Sequence, residues 1–139
     1  MAVDTGLGAI LILVGRLVFG GFLAFQGLNH FMNTDEMAGY ARSKGVPAAR
    51  FGVIASGMLL LLGGLGIILG VYPSIAAGML AVFFVLVTPV MHDFWAAPEA
   101  EQQTEMVDFI KNVELLGASL VFLVLGVAPR FSAEHEKDE

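Results

Sequence analysis

The chain of 139 residues carries seven Lys and Arg against thirteen Asp and Glu, a net charge of −6, and 57% of it is hydrophobic, above the roughly half of an ordinary soluble domain. It contains no cysteine, which excludes thiolate nucleophiles, disulfide exchange, iron–sulfur ligation and cysteine-based zinc sites. The acidic balance argues against nucleic acid as a partner, because phosphate binding needs a basic surface.

Four apolar stretches, roughly residues 7–28, 51–72, 74–91 and 107–127, fill most of the chain, and each is near the about 20 helical residues that cross a bilayer core. The expected fold is all-α: a transmembrane four-helix bundle in a single domain over residues 1–139, with both termini on the same side. The first stretch begins like a signal peptide, but it has no basic leading segment, carries Arg16 inside the apolar run and has no convincing cleavage site, so it reads as the first span. At about 100° per residue, Arg16, Gly20, Leu23, Gly27 and His30 share one stripe of that helix. An ionised side chain inside a bilayer normally faces a partner or a watery cavity. Arg16 is therefore expected to point inward and be held by side-chain oxygens, by backbone carbonyls near a glycine or by water, with Glu114 the best charged candidate. Snorkelling towards the headgroups is the rival reading.

The loop 31–50 follows, where the spacing of Met37, Tyr40 and Ala41 predicts a short helix within residues 35–43. The second span presents Gly52, Ser56, Gly63, Gly66 and Gly70 on one stripe, and Pro73 explains the tight turn at 71–74. The third presents Gly78, Ala81, Val85, Thr88 and His92. Small residues let helices approach closely in lipid, so these stripes read first as packing seams and second as a groove for a flat or chain-like ligand such as a quinone or a lipid. Trp95 is expected at the headgroup boundary. The charged run 99–108 and the acidic tail 132–139 read as solvated loop and tail. The fourth span carries Lys111, Asn112 and Glu114, and the Lys111–Glu114 spacing also permits a local ion pair.

In this arrangement the loops 31–50 and 92–106 lie together on the side opposite the termini. Arg42, Lys44, Arg50 and Lys111 lean the loops towards the cytoplasm, against Arg130 and Lys137 on the tail side, and orientation in the cell membrane is otherwise open. His30 and His92 end their helices at the loop side, so with Asp93, Lys111 and Asn112 they are expected to form a polar cluster. Three roles compete for the histidines: interfacial structure first, proton exchange or a polar ligand second, and haem ligation last, since haem needs two imidazoles opposed across the macrocycle. No metal site is expected, no residue is assigned a catalytic role, and whether the protein is an enzyme stays open.

Several motifs occur in order: Gly15-Arg16 with Gly27 and His30; Tyr40 with Gly45-Val46-Pro47; Gly63-Gly64 with the Gly70 break; and His92-Asp93-Phe94-Trp95 leading to Phe109-Ile110-Lys111-Asn112 and Gly117. In this order and spacing the chain resembles the DoxX family of small four-helix membrane proteins. The resemblance implies a membrane protein linked to redox or oxidative-stress physiology. Some relatives look like the membrane subunit of a thiosulfate:quinone oxidoreductase, and others associate with superoxide dismutase and a sulfurtransferase. It also implies that Arg16, His92, Lys111 and Asn112 occupy the family's polar positions. Relatives often carry a glutamate where this chain has Leu60 and a lysine where it has His30, so either Glu114 supplies the missing carboxylate from another helix or that site is lost. The expected function is a membrane component of a redox system, linked to quinone; the alternatives are a scaffold or anchor without chemistry and a small transporter or proton path. The expected partners are membrane lipid, a redox protein and further copies of the chain.

Overall fold

A computed structural model describes residues 6–126, which form five α-helices and one 3₁₀ turn with no strand among them. The helices are α1 (Gly6–Met32), α2 (Thr34–Ser43), α3 (Ala49–Leu69), α4 (Pro73–Met91) and α5 (Glu99–Leu125), and the 3₁₀ turn, Phe94–Ala96, lies between α4 and α5. The acidic tail, with Arg130 and Lys137, lies outside the described residues. Helices α1, α3 and the stretch Pro73–Ala96 that includes α4 are long and apolar enough to cross a membrane. Helix α5 is as long as α1, but Glu114 interrupts its apolar half and Asp108 and Lys111 stand just before it.

The largest departure from expectation is the start of α5. The charged run 99–108 is helix and not loop, because Pro98 ends the preceding extended segment and Glu99 and Glu101 fall in the first turn, where carboxylates meet the positive end of the helix dipole. The short helix expected within 35–43 forms as α2, with Ala38 and Ala41 buried against α3.

Helices α1 and α3 pack antiparallel with their backbones in contact. The buried face of α1 is Gly8, Arg16, Gly20, Leu23, Ala24, Gly27 and His30, the stripe expected from its periodicity. A methyl group placed on Gly64 would lie 2.6 Å from the amide nitrogen of Ala24 and 2.6 Å from the carbonyl oxygen of Gly20. One on Gly27 would lie 2.6 Å from the nitrogen of Leu61. These are backbone atoms, so only glycine permits the approach, the device by which membrane helices gain van der Waals contact and association.

The stripe expected on α3 is displaced. Its buried residues are Ala49, Val53, Gly57, Leu60, Gly63, Gly64 and Ile67. Gly57 and Gly64 face α1, whereas Gly63 and Gly66 face Leu80 and Ala76 of α4. The helix therefore has two small-residue faces, one for each neighbour, and a single stripe could not describe it. On α4, Ala81 and Thr88 are buried as expected, while Val85 faces outward. Thr88 Oγ1 has no hydrogen-bond partner among the described residues.

The core joins Leu23, Leu60, Ile67, Ala77, Leu80 and Phe84, and the rings of Phe19 and Phe122 stack at 5.2 Å to bring α5 against α1. Outward faces are apolar too: Phe22 is 67% exposed and Val124 82% exposed. That pattern suits helices whose outer solvent is lipid.

Candidate functional site

Two polar sites lie at opposite ends of the helices. The first is Arg16, only 4% exposed. Its Nε donates to the carbonyl of Ile67 at 2.9 Å and its Nη2 to the carbonyl of Ile68 at 2.7 Å. The cause lies in how α3 ends. Gly70 takes a left-handed conformation at φ 67°, and the amides of Gly70 and Val71 both turn back to the carbonyl of Gly66. Among the described residues no backbone donor reaches Ile67 O or Ile68 O. The last carbonyls of a helix need partners and carry the negative end of its dipole, and the Arg16 guanidinium answers both needs. Backbone carbonyls near a glycine thus hold Arg16. Glu114 does not: it is exposed, and no ion pair joins it to Arg16 or to Lys111 among the described residues. Leu60 is fully buried in the apolar core, so Glu114 does not restore a carboxylate at that place.

The second site is an open cavity of about 800 Å³ at the other end, bounded by the close of α1, α2, the start of α3, the close of α4 and Asn112 of α5. Its volume lies in the range of small-molecule pockets. Val53, Phe83, Leu86, Val87, Val90 and Met91 make apolar walls, and Gln26, Asn29, His30, Ser56, His92 and Asn112 supply polar groups. Of the residues singled out from sequence, the cavity brings together His30, His92 and Asn112. Lys111 is exposed and does not line it.

Each histidine is tied through Nδ1. His30 Nδ1 lies 3.1 Å from the carbonyl oxygen of Val53 and 3.1 Å from Ser56 Oγ. A carbonyl can only accept, so the proton resides on Nδ1 and Nε2 is left as an acceptor in the neutral ring. His92 Nδ1 lies 2.9 Å from Glu105 Oε2, and a carboxylate imposes the same tautomer.

Glu105 is the residue sequence reading missed. It is 9% exposed, and its other oxygen, Oε1, accepts from the Tyr40 hydroxyl at 2.6 Å. One carboxylate on α5 therefore clasps α2 and the end of α4 across the cavity mouth. Beside it Lys44 Nζ donates to Asp93 Oδ1 at 2.7 Å and lies 5.5 Å from the centre of the Tyr40 ring, so Asp93 serves the clasp and not the cavity. Burial pushes the Glu105 carboxyl up, yet the hydrogen bonds from Tyr40 and His92 together outweigh it and hold it below its ordinary value. Burial, then the Glu105 carboxylate, raise the Tyr40 phenol. Phe94, Trp95 and Phe109 pack edge to face beside this corner.

The DoxX family matches the chain over residues 11–93. The chain belongs to the DoxX family. That match covers α2 and α3, nearly all of α1, and α4 through His92-Asp93, so it takes in Arg16, both cavity histidines and Tyr40, whereas Glu105 and Asn112 lie beyond it. Comparison with curated proteins and with solved structures found no match. Membership in DoxX and the apolar helices mark a membrane protein.

Proposed function

We propose that this DoxX protein is a multi-pass component of the cell membrane, a four-helix transmembrane bundle with both termini on one side, that holds a quinone-like ring in the cavity between His30 and His92 as part of a redox or oxidative-stress system. The observation that carries this reading is the cavity itself, with apolar walls and a few polar groups at one end. A quinone offers carbonyl acceptors, which the amide groups of Gln26, Asn29 and Asn112 can meet as donors. The reduced form offers hydroxyl donors, which the imidazole Nε2 atoms can accept. Both redox forms are thus matched by groups present in one pocket, and the flat ring suits walls of Phe, Val and Leu.

Counting α5 as the fourth span supports the placement of both chain ends on the side of Arg16. Its first turns then stand in the headgroup region and its apolar half, from Val113 to Leu125, lies in the membrane. The test is to purify the protein in mild detergent and analyse co-purified small molecules by mass spectrometry. A quinone retained in stoichiometric amount supports the reading, and retention of phospholipid alone refutes it in favour of an anchor without redox chemistry.

A further inference from the structure

We propose that His92, Glu105 and Asp108 form a binding site for one divalent transition-metal ion of the Zn²⁺ type at the rim of the cavity. Glu105 and Asp108 stand three residues apart on α5 and so share a face, and His92 comes from the end of α4. One ligand atom from each lies within 4.8 Å of the others. Tetrahedral zinc with bonds of about 2.0–2.2 Å sets its ligand atoms roughly 3.3 Å apart. The His92 Nδ1 to Glu105 Oε2 separation of 2.9 Å is already close to that, and Asp108 reaches the same group of atoms from within 4.8 Å. A bound ion would take the place of the Nδ1 proton, which moves to Nε2 of the neutral ring, so that His92 presents a donor to the cavity when the ion is bound and an acceptor when it is not.

Two further observations favour an ion. Asp108 is half-buried beside another carboxylate, yet it makes no hydrogen bond or ion pair among the described residues. The nearest cation of the clasp, Lys44, is committed to Asp93. Lys111, one turn further along α5, is exposed and makes no ion pair with Asp108 among the described residues, whereas a divalent ion would neutralise both carboxylates. The second observation is Tyr40, which donates to Glu105 Oε1, the oxygen His92 does not use. A hydrogen bond to the far oxygen of a ligating carboxylate is how proteins orient such ligands.

One nitrogen and two carboxylate oxygens suit zinc or manganese, and zinc binds such donors more tightly. Three protein ligands leave a position open to water or to a molecule in the cavity, because His92 also lines it. The site stands on its own residues, whatever occupies the cavity.

The test uses tag-free, full-length protein in mild detergent, stripped with chelator and titrated with Zn²⁺ by calorimetry, with thermal melting in parallel. The expected result is one equivalent bound, a melting temperature raised by the metal because binding favours the folded state, and affinity lowered roughly tenfold to a hundredfold or more in Asp108→Asn and in Glu105→Gln. Far-ultraviolet circular dichroism establishes that each variant keeps its helices. Equal zinc binding by wild type and Asp108→Asn overturns the proposal, as does binding that survives in both variants but is lost in His135→Ala, which would place the metal in the tail.

Discussion

Arg16 caps a helix it does not belong to: its guanidinium sits 2.7 Å from the carbonyl of Ile68, at the end of α3. That contact explains why an arginine occupies an otherwise glycine and leucine stripe in the first apolar segment. It is a structural device at the end of the helices opposite the cavity. Replacing Arg16 with Leu leaves the buried carbonyl of Ile67 and the part-buried carbonyl of Ile68 without donors, at a cost of roughly 3 kcal/mol. Arg16→Lys is expected to recover only part of this, because an ammonium lacks the planar fork that reaches two oxygens at once. Thermal melting in detergent measures both. A leucine variant as stable as wild type would mean that water already serves those carbonyls.

Much of this was legible in the sequence, for physical reasons. Apolar length announces the helices, Pro73 announces the turn, and a 3.6-residue spacing of small residues around Arg16 announces the buried face of α1. The partners of Arg16 were not legible by name, since carbonyls have no side-chain signature; the Gly70 break and Pro73 were the signal that helix-end carbonyls lay nearby. Glu105 was hidden for another reason. Its bond to Tyr40 spans 65 residues, and a run of acidic residues looks solvated until a helix sorts it by face. The spacing of Glu105 and Asp108, one turn apart and following His92, was the available clue. His30, His92 and Asn112 were traceable to one level because each sits near the loop end of an apolar segment.

Glycines separate into two kinds that substitution should distinguish. Gly64 touches the backbone of α1, whereas a methyl group on Gly21 would meet nothing within 4 Å. Gly64→Ala is expected to force α1 and α3 apart and lower the melting temperature sharply. Gly21→Ala should raise stability by about 0.5–1 kcal/mol, the usual gain for alanine over glycine inside a helix. Similar behaviour of the two variants would contradict the close α1–α3 contact.

The clasp at Glu105 predicts a local effect. Tyr40→Phe or Glu105→Gln removes or weakens a charge-assisted hydrogen bond worth about 1.5–3 kcal/mol and frees α2 from α5. Because Arg42 and Lys44 sit at the end of α2, limited trypsin digestion should cut there faster in both variants while the long helices stay protected. Unchanged cleavage would show that the packing of Ala38 and Ala41 and the Lys44–Asp93 pair hold α2 without the clasp.

Whether the cavity between His30 and His92 holds a quinone-like ring is decided by filling it. Gly52 lines the cavity, and a methyl group there would find only Val46 Cγ1, at 3.9 Å, so the ring of Gly52→Phe has room to enter without displacing backbone. Equilibrium dialysis of a short-chain quinone against detergent-solubilised protein should give saturable binding, one per chain, for wild type and none above micelle partitioning for a folded Gly52→Phe. Equal uptake by the two proteins would mean that the quinone binds elsewhere and the cavity does not hold it.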